Sequence, residues 1–167
     1  MSFAESIRSC FRQYVTFSGR APRSEYWWFA LFLLLGNLLF GMIDGFLFGF
    51  SEDSAGLISR IFGLATFLPS IAVAARRLHD VDRSGWWQLA PAGMMGVALI
   101  FTAAQIQILA AVAGFGVLVT ALVLLYWLIK RGTTGPNRFG ADPLDASLLP
   151  EPEGEFSRSS IPRVPRD

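Results

Sequence analysis

One cysteine, one histidine and one lysine occur among the 167 residues: Cys10, His79 and Lys130. A lone cysteine excludes an intrachain disulfide and any pair of thiolate zinc ligands, and a lone histidine leaves no histidine-based metal centre. Charged residues make up only 16% of the chain against 53% hydrophobic ones, a balance foreign to most soluble domains of this length. The strings G-x-S-x-G, P-loop, H-E-x-x-H and C-x-x-C are all missing, so no catalytic residue is assigned. No metal, cofactor or nucleic-acid partner is expected. The first 25 residues contain no continuous apolar core, because Glu5, Arg8, Arg12 and Arg20 interrupt them. A cleaved signal is therefore not expected, and the first span would act as an uncleaved anchor.

What is abundant is long apolar runs. Residues 26–50 carry a single charge, Asp44, and exceed the roughly 20 helical residues that cross a hydrocarbon core. Residues 56–75 form a second run, with Arg60 near its start and Pro69 inside, a residue that membrane helices tolerate as a kink. Trp86 to Ile129 is free of charge, and at about 1.5 Å per residue it is about two bilayer cores long. It must fold back on itself. The polar patch Thr102 to Gln107 is the natural reversal, which gives third and fourth spans over 86–102 and 108–129. The expected fold is an all-α integral membrane protein with four transmembrane helices.

Orientation follows from the basic residues, which collect near span ends on the cytoplasmic side. All of the 14 basic residues except Arg60 fall in the N-terminal segment, in the middle loop around Arg76, Arg77 and Arg83, or after Ile129. Four spans put these three segments on one face, so both termini are expected in the cytoplasm. All five tryptophans, Trp27, Trp28, Trp86, Trp87 and Trp127, stand where those segments enter the membrane, as interfacial anchors do. Within residues 1–18, Phe3, Ile7, Cys10, Phe11, Tyr14 and Phe17 form a helical stripe with Arg8 and Arg12 off it, the pattern of an amphipathic interfacial helix. Residues 144–167 turn to Pro, Glu, Ser and Arg, the composition of a disordered cytoplasmic tail.

Three polar strings stand at the membrane entrances. They contain Gly19, Arg20, Arg23, Glu25, Tyr26 and Trp27; then Arg76, Arg77, Leu78, His79, Asp80, Ser84, Gly85 and Trp86; then Gly135, Asn137, Arg138, Phe139, Gly140 and Pro143. In these strings, over roughly Phe17 to Pro143, the chain resembles the bacterial inner-membrane family called domain of unknown function 805. The resemblance implies a small plasma-membrane protein of the bacterial inner membrane and brings no established activity.

Two readings of the strings stay open. Arg20, Arg23, Arg76, Arg77 and Arg138 converge either on internal partners, with Glu25, Asp80 and Asp142 the obvious ones, or on an anionic ligand such as a phospholipid head group. The candidate ligand set is Arg20, Arg23, Arg76, Arg77, His79, Asp80, Asn137 and Arg138. A head-group-modifying enzyme using His79 and Asp80 is a rival, although neighbours in a helix do not face each other. A small transporter or channel subunit is another, resting on the intramembrane polar residues Asn37, Asp44 and Arg60. Asp44 falls near the outer end of its span, where pairing with Arg60 is the cheaper role. Gly41, Gly45 and Gly49 would form a small-residue face for another helix, from this chain, a second copy or a partner membrane protein, with membrane lipids around it.

Overall fold

The computed structural model describes residues 1–49 and 56–145. Among these there is no strand, and four helices are long and apolar enough to cross a membrane. In chain order the elements are α1 (Phe3–Arg12), α2 (Arg23–Phe48), α3 (Leu57–Asp80), a 3-10 turn (Gly85–Leu89) that leads into α4 (Ala90–Ala103), and α5 (Gln107–Ile129). The SEDS connection at 51–54 and all but the first two residues of the expected tail lie outside the described residues.

Helix α1 starts on a reciprocal cap, with the Glu5 N–H donating to Ser2 Oγ at 3.4 Å and the Ser2 N–H donating to Glu5 Oε2 at 2.8 Å. It ends at Arg12, well short of residue 18, and residues 13–18 turn back so that Arg20 reaches the helix bundle. Its apolar stripe meets protein: Phe3 packs edge-on against Trp28 at 5.8 Å, and Phe11 against Phe29 and Phe32 at 5.9 and 6.0 Å. Arg8 and Arg12 stay exposed.

The spans begin and end differently from their apolar runs. Helix α2 starts at Arg23, three residues before Tyr26, because Pro22 at the N-cap presets the backbone and Glu25 sits well near the positive helix end. It stops at Phe48; Gly49 is the C-cap with φ +88°, so it leaves the helix face on which Gly41 and Gly45 lie. Helix α3 continues past Ala75 through Arg76, Arg77, Leu78, His79 and Asp80, all read above as loop. Hydrophobicity alone would end the helix at Ala75; it continues because the two arginines find partners inside the protein.

Two internal devices keep α3 intact. Pro69 cannot donate to the carbonyl of Ala65, four residues earlier, and the Tyr14 hydroxyl donates to that carbonyl instead at 2.6 Å. At the other end the Asp44 carboxylate of α2 caps α3, accepting from the N–H of Ile58 at 3.0 Å and of Ser59 at 2.8 Å and from the Ser59 hydroxyl at 2.7 Å.

Helices α2 and α3 pack as one antiparallel hairpin and α4 and α5 as another. Gly36 gives room to the Phe62 ring and Gly116 to the Met94 side chain; a Cβ at either glycine would overlap its neighbour. The chain reverses between α4 and α5 at Ala104 to Ile106, where Gln105 takes φ +60°. Very little of the apolar length of Gly85–Ala103 and Gln107–Ile129 is buried against protein, so their walls are lipid-facing. The polar cluster lies where α2 begins and α3 and α5 end.

Candidate functional site: an interlocked guanidinium cluster

Two ion-pair latches share the end of the bundle. In the first, Asp80 at the end of α3 bridges two arginines. Arg20 Nε donates to Asp80 Oδ1 at 3.0 Å, and Arg77 Nη1 donates to Oδ2. Each guanidinium then spends further donors on backbone carbonyls, Arg20 on the segment that follows α5 and Arg77 on the end of α5 itself. Arg20 donates to Gly135 O at 2.7 Å and to Thr133 O at 2.5 Å; Arg77 donates to Leu128 O at 3.1 Å and to Lys130 O. Leu128 and Lys130 are at the C-terminus of α5, whose last carbonyls have no partner within their own helix, so Arg77 serves as its cap. The Thr133 N–H and hydroxyl return to the carbonyl of Asp80 at 2.8 and 3.2 Å.

Asp142 stands 4.0 Å from Arg20 and uses its oxygens on the N–H groups of Gly135 and Leu144, which hold its carboxyl below the ordinary carboxylate range. Gly132 passes so close to the Asp80 carboxylate that a Cβ there would overlap it.

The second latch docks α1. Arg76 Nη1 donates to Glu25 Oε1 at 3.1 Å and to Gln13 Oε1 at 2.9 Å, and the Ser9 hydroxyl donates to Glu25 Oε1 at 3.0 Å. Cys10 Sγ lies 3.8 Å from the same oxygen. The side chains of Arg20, Arg76 and Arg77 are at most 1% exposed. Arg76 Nε and Nη2 are buried with no partner among the described residues.

The family model described as "Protein of unknown function (DUF805)" matches residues 14–141. The chain belongs to the DUF805 family. Its relatives include inner membrane protein YhaH of Escherichia coli K12, 36% identical over 132 residues, which cover 79% of this chain and 90% of YhaH. Inner membrane protein YhaI of the same strain is 38% identical over 135 residues, 81% of this chain and 92% of YhaI. The uncharacterized protein YiiR is 32% identical over 142 residues, with 78% and 87% covered. No solved structure matches. Four apolar spans and these relatives make this DUF805 member an integral inner-membrane protein.

The DUF805 strings divide between the latches and the surface. Arg20, Arg76, Arg77 and Asp80 are drawn into the buried cluster. Arg23 is exposed in the first turn of α2, and Arg138 is exposed as well. Arg138 pairs outside the cluster with Asp82, Nε to Oδ1 at 3.0 Å, and covers the Phe139 ring at 4.8 Å. Asn137 ties the third string to the second, donating from Nδ2 to His79 O at 2.9 Å and to Thr133 Oγ1 at 3.0 Å. His79 turns away from the Asp80 carboxylate: Nδ1 lies 3.1 Å from the carbonyl of Gly19, and the ring stacks on Phe139 at 3.9 Å, 3° from parallel.

The intramembrane polar residues do not meet. Asn37 donates to Leu33 O of its own helix at 2.7 Å, and Asp44 is engaged by the α3 N-terminus in place of an ion pair with Arg60, which is exposed. Gly41 has open space around it and Gly45 is buried. Sequence reasoning missed Gln13 and Ser9, and also the carbonyls of Leu128, Lys130, Thr133 and Gly135.

Burial against α2, beside the Glu25 carboxylate, pushes the Cys10 thiol up to about 12. Its thiolate fraction near neutral pH falls about a thousandfold below that of an ordinary thiol. In membranes at pH 7.5, maleimide is expected to leave Cys10 unmodified for hours and to label it within minutes in denaturing detergent. Rapid labelling of the native protein would mean that α1 is not docked. The sign also gives a pH dependence: the docked thiol stays neutral, so its contribution to docking is whole below the free-thiol value and is lost as pH rises from there toward about 12.

Proposed function

We propose that the chain is a non-catalytic membrane component that binds anionic phospholipid at its cytoplasmic face, with both termini on that side. The observation that carries this reading is a crevice of about 550 Å³ at the start of α2. Arg23 and Arg131 line it together with Trp27, Trp28 and Leu31; Asp80 is part of the same wall, its charge shared by Arg20 and Arg77. Neither arginine makes a hydrogen bond or ion pair among the described residues, in contrast to Arg20 and Arg77, whose donors are committed internally. A cation in the first turn of a helix opposes the helix dipole, and α2 has no side chain capping its N-terminus. A phosphate there would satisfy both, with indole rings and Leu31 beside the glycerol and acyl region.

Support for the cytoplasmic placement is the gathering of the arginine-bearing strings at one end of the bundle. The buried latches support a structural role for Arg20, Arg76, Arg77 and Asp80, so the anionic site we propose keeps Arg23 from the candidate set and adds Arg131. For the enzyme reading, the Asp80 oxygens are taken up by arginines and His79 faces elsewhere. For the transport reading, Asn37, Asp44 and Arg60 line no common path.

The test is native mass spectrometry of the protein released from bilayers of equal phosphatidylglycerol and phosphatidylethanolamine. The parent is expected to retain phosphatidylglycerol preferentially and an Arg23→Gln, Arg131→Gln double variant to lose that preference, with thermal stability unchanged because neither residue is in a latch. Equal retention by both proteins would refute the site.

A further inference from the structure

A second cavity, of about 630 Å³, lies on the other side of the α3 end, and no charged side chain lines it among the described residues. Phe17, Ile71, Trp86 and Leu89 supply apolar walls, and His79 is the polar feature with a fixed direction. A carbonyl oxygen only accepts, so the 3.1 Å contact with Gly19 O requires the proton on Nδ1 and, in the neutral ring, leaves the lone pair on Nε2. Stacking on Phe139 holds the ring plane. Nε2 lies 3.5 Å from the place a Cβ on Gly85 would occupy, beside another residue of the cavity wall, and has no partner among the described residues. Gly85 is needed there for space, since a Cβ would come within 2.8 Å of the Ala75 Cβ and lift the 3-10 turn from α3. Ser84 and Gln88 add a hydroxyl and an amide to the lining.

We infer that this cavity binds a neutral membrane amphiphile through a hydroxyl group that donates to His79 Nε2. The walls match an acyl or ring system, and the preorganised acceptor matches one donor. A phosphate would find no cation among the lining residues, which separates this site from the cationic crevice at α2. The site stands on its own geometry and does not depend on that crevice.

The test uses the full chain in phosphatidylcholine nanodiscs, photolabelled with a diazirine-bearing diacylglycerol and mapped by peptide mass. Competitors are 1,2-dioctanoylglycerol, which keeps a free hydroxyl, and its 3-O-methyl ether, which has lost the donor. On the parent, label is expected on the 84–89 segment, and the ether is expected to need about tenfold more for half-competition. His79→Phe keeps the stack on Phe139 and removes the acceptor; the two competitors should then become equivalent. Equal competition on the parent, or label mapping to residues 22–31, would overturn the proposal. The comparison on the parent decides the matter even if His79→Phe does not fold. The Arg23→Gln, Arg131→Gln variant should label as the parent does, so failure of one site is distinguishable from failure of the other.

Discussion

Replacing Asp80 by alanine is expected to cost the fold about 3–5 kcal/mol, because two buried guanidinium groups lose their shared counter-charge at once. That is a large share of the roughly 5–15 kcal/mol that holds a typical domain together. The loss spreads through the cluster. Arg20 and Arg77 also hold the carbonyls of Leu128, Lys130, Thr133 and Gly135, so the segment after α5 should come free along with the end of α3. Thermal unfolding in detergent measures the cost, and proteolysis between Arg131 and Arg138 reports release of the segment. Asp80→Asn should fare little better, since an amide oxygen replaces a charge shared by two cations. An Asp80→Ala protein that melted with the parent and resisted cleavage would show that the carboxylate is not the hub. Gly132 offers an independent route to the same hub: a Cβ there displaces the Asp80 carboxylate without removing any charge.

The second large effect concerns Glu25 and Arg76. Glu25→Leu is expected to cost about 3–5 kcal/mol by leaving Arg76 buried without a counter-charge, whereas joining it to Arg76→Met should restore most of that loss. The reason for recovery is specific. Arg76 already has Nε and Nη2 buried without partners among the described residues, so the parent carries a desolvation cost that the apolar pair does not. Thermal melts of both single variants and the double variant give the coupling energy. A double variant as unstable as Glu25→Leu would mean that the ion pair contributes beyond mutual neutralisation. Because Ser9 of α1 and its C-cap residue Gln13 reach this pair, the Glu25→Leu single variant should also expose Cys10 to maleimide.

Much of this was legible in the sequence. Four spans follow from run lengths that a bilayer dictates, since backbone polar groups in lipid must be satisfied within helices. The gathering of Arg20, Arg76, Arg77, Glu25 and Asp80 was legible as well, because strings that share one face of a four-span bundle have few other partners. Helix ends were less legible: Arg76 and Arg77 read as loop by hydropathy, and only neutralisation by Glu25 and Asp80 lets α3 run through them. Gly49 fitted a small-residue face by spacing, yet caps the helix with φ +88°.

What the sequence by itself determined is the solvent: charge-free runs and clustered arginines commit the chain to a membrane and to four crossings. Tertiary structure alone decided which arginines are occupied. Arg20 and Arg77 are consumed by Asp80 and by backbone carbonyls, Arg138 pairs with Asp82 outside, and Arg23 and Arg131 are left facing a crevice. A guanidinium has the same charge wherever it stands in the sequence. Whether it latches a fold or faces a ligand depends on acceptors that come from distant segments, and only the packing of the helices brings those within hydrogen-bond reach.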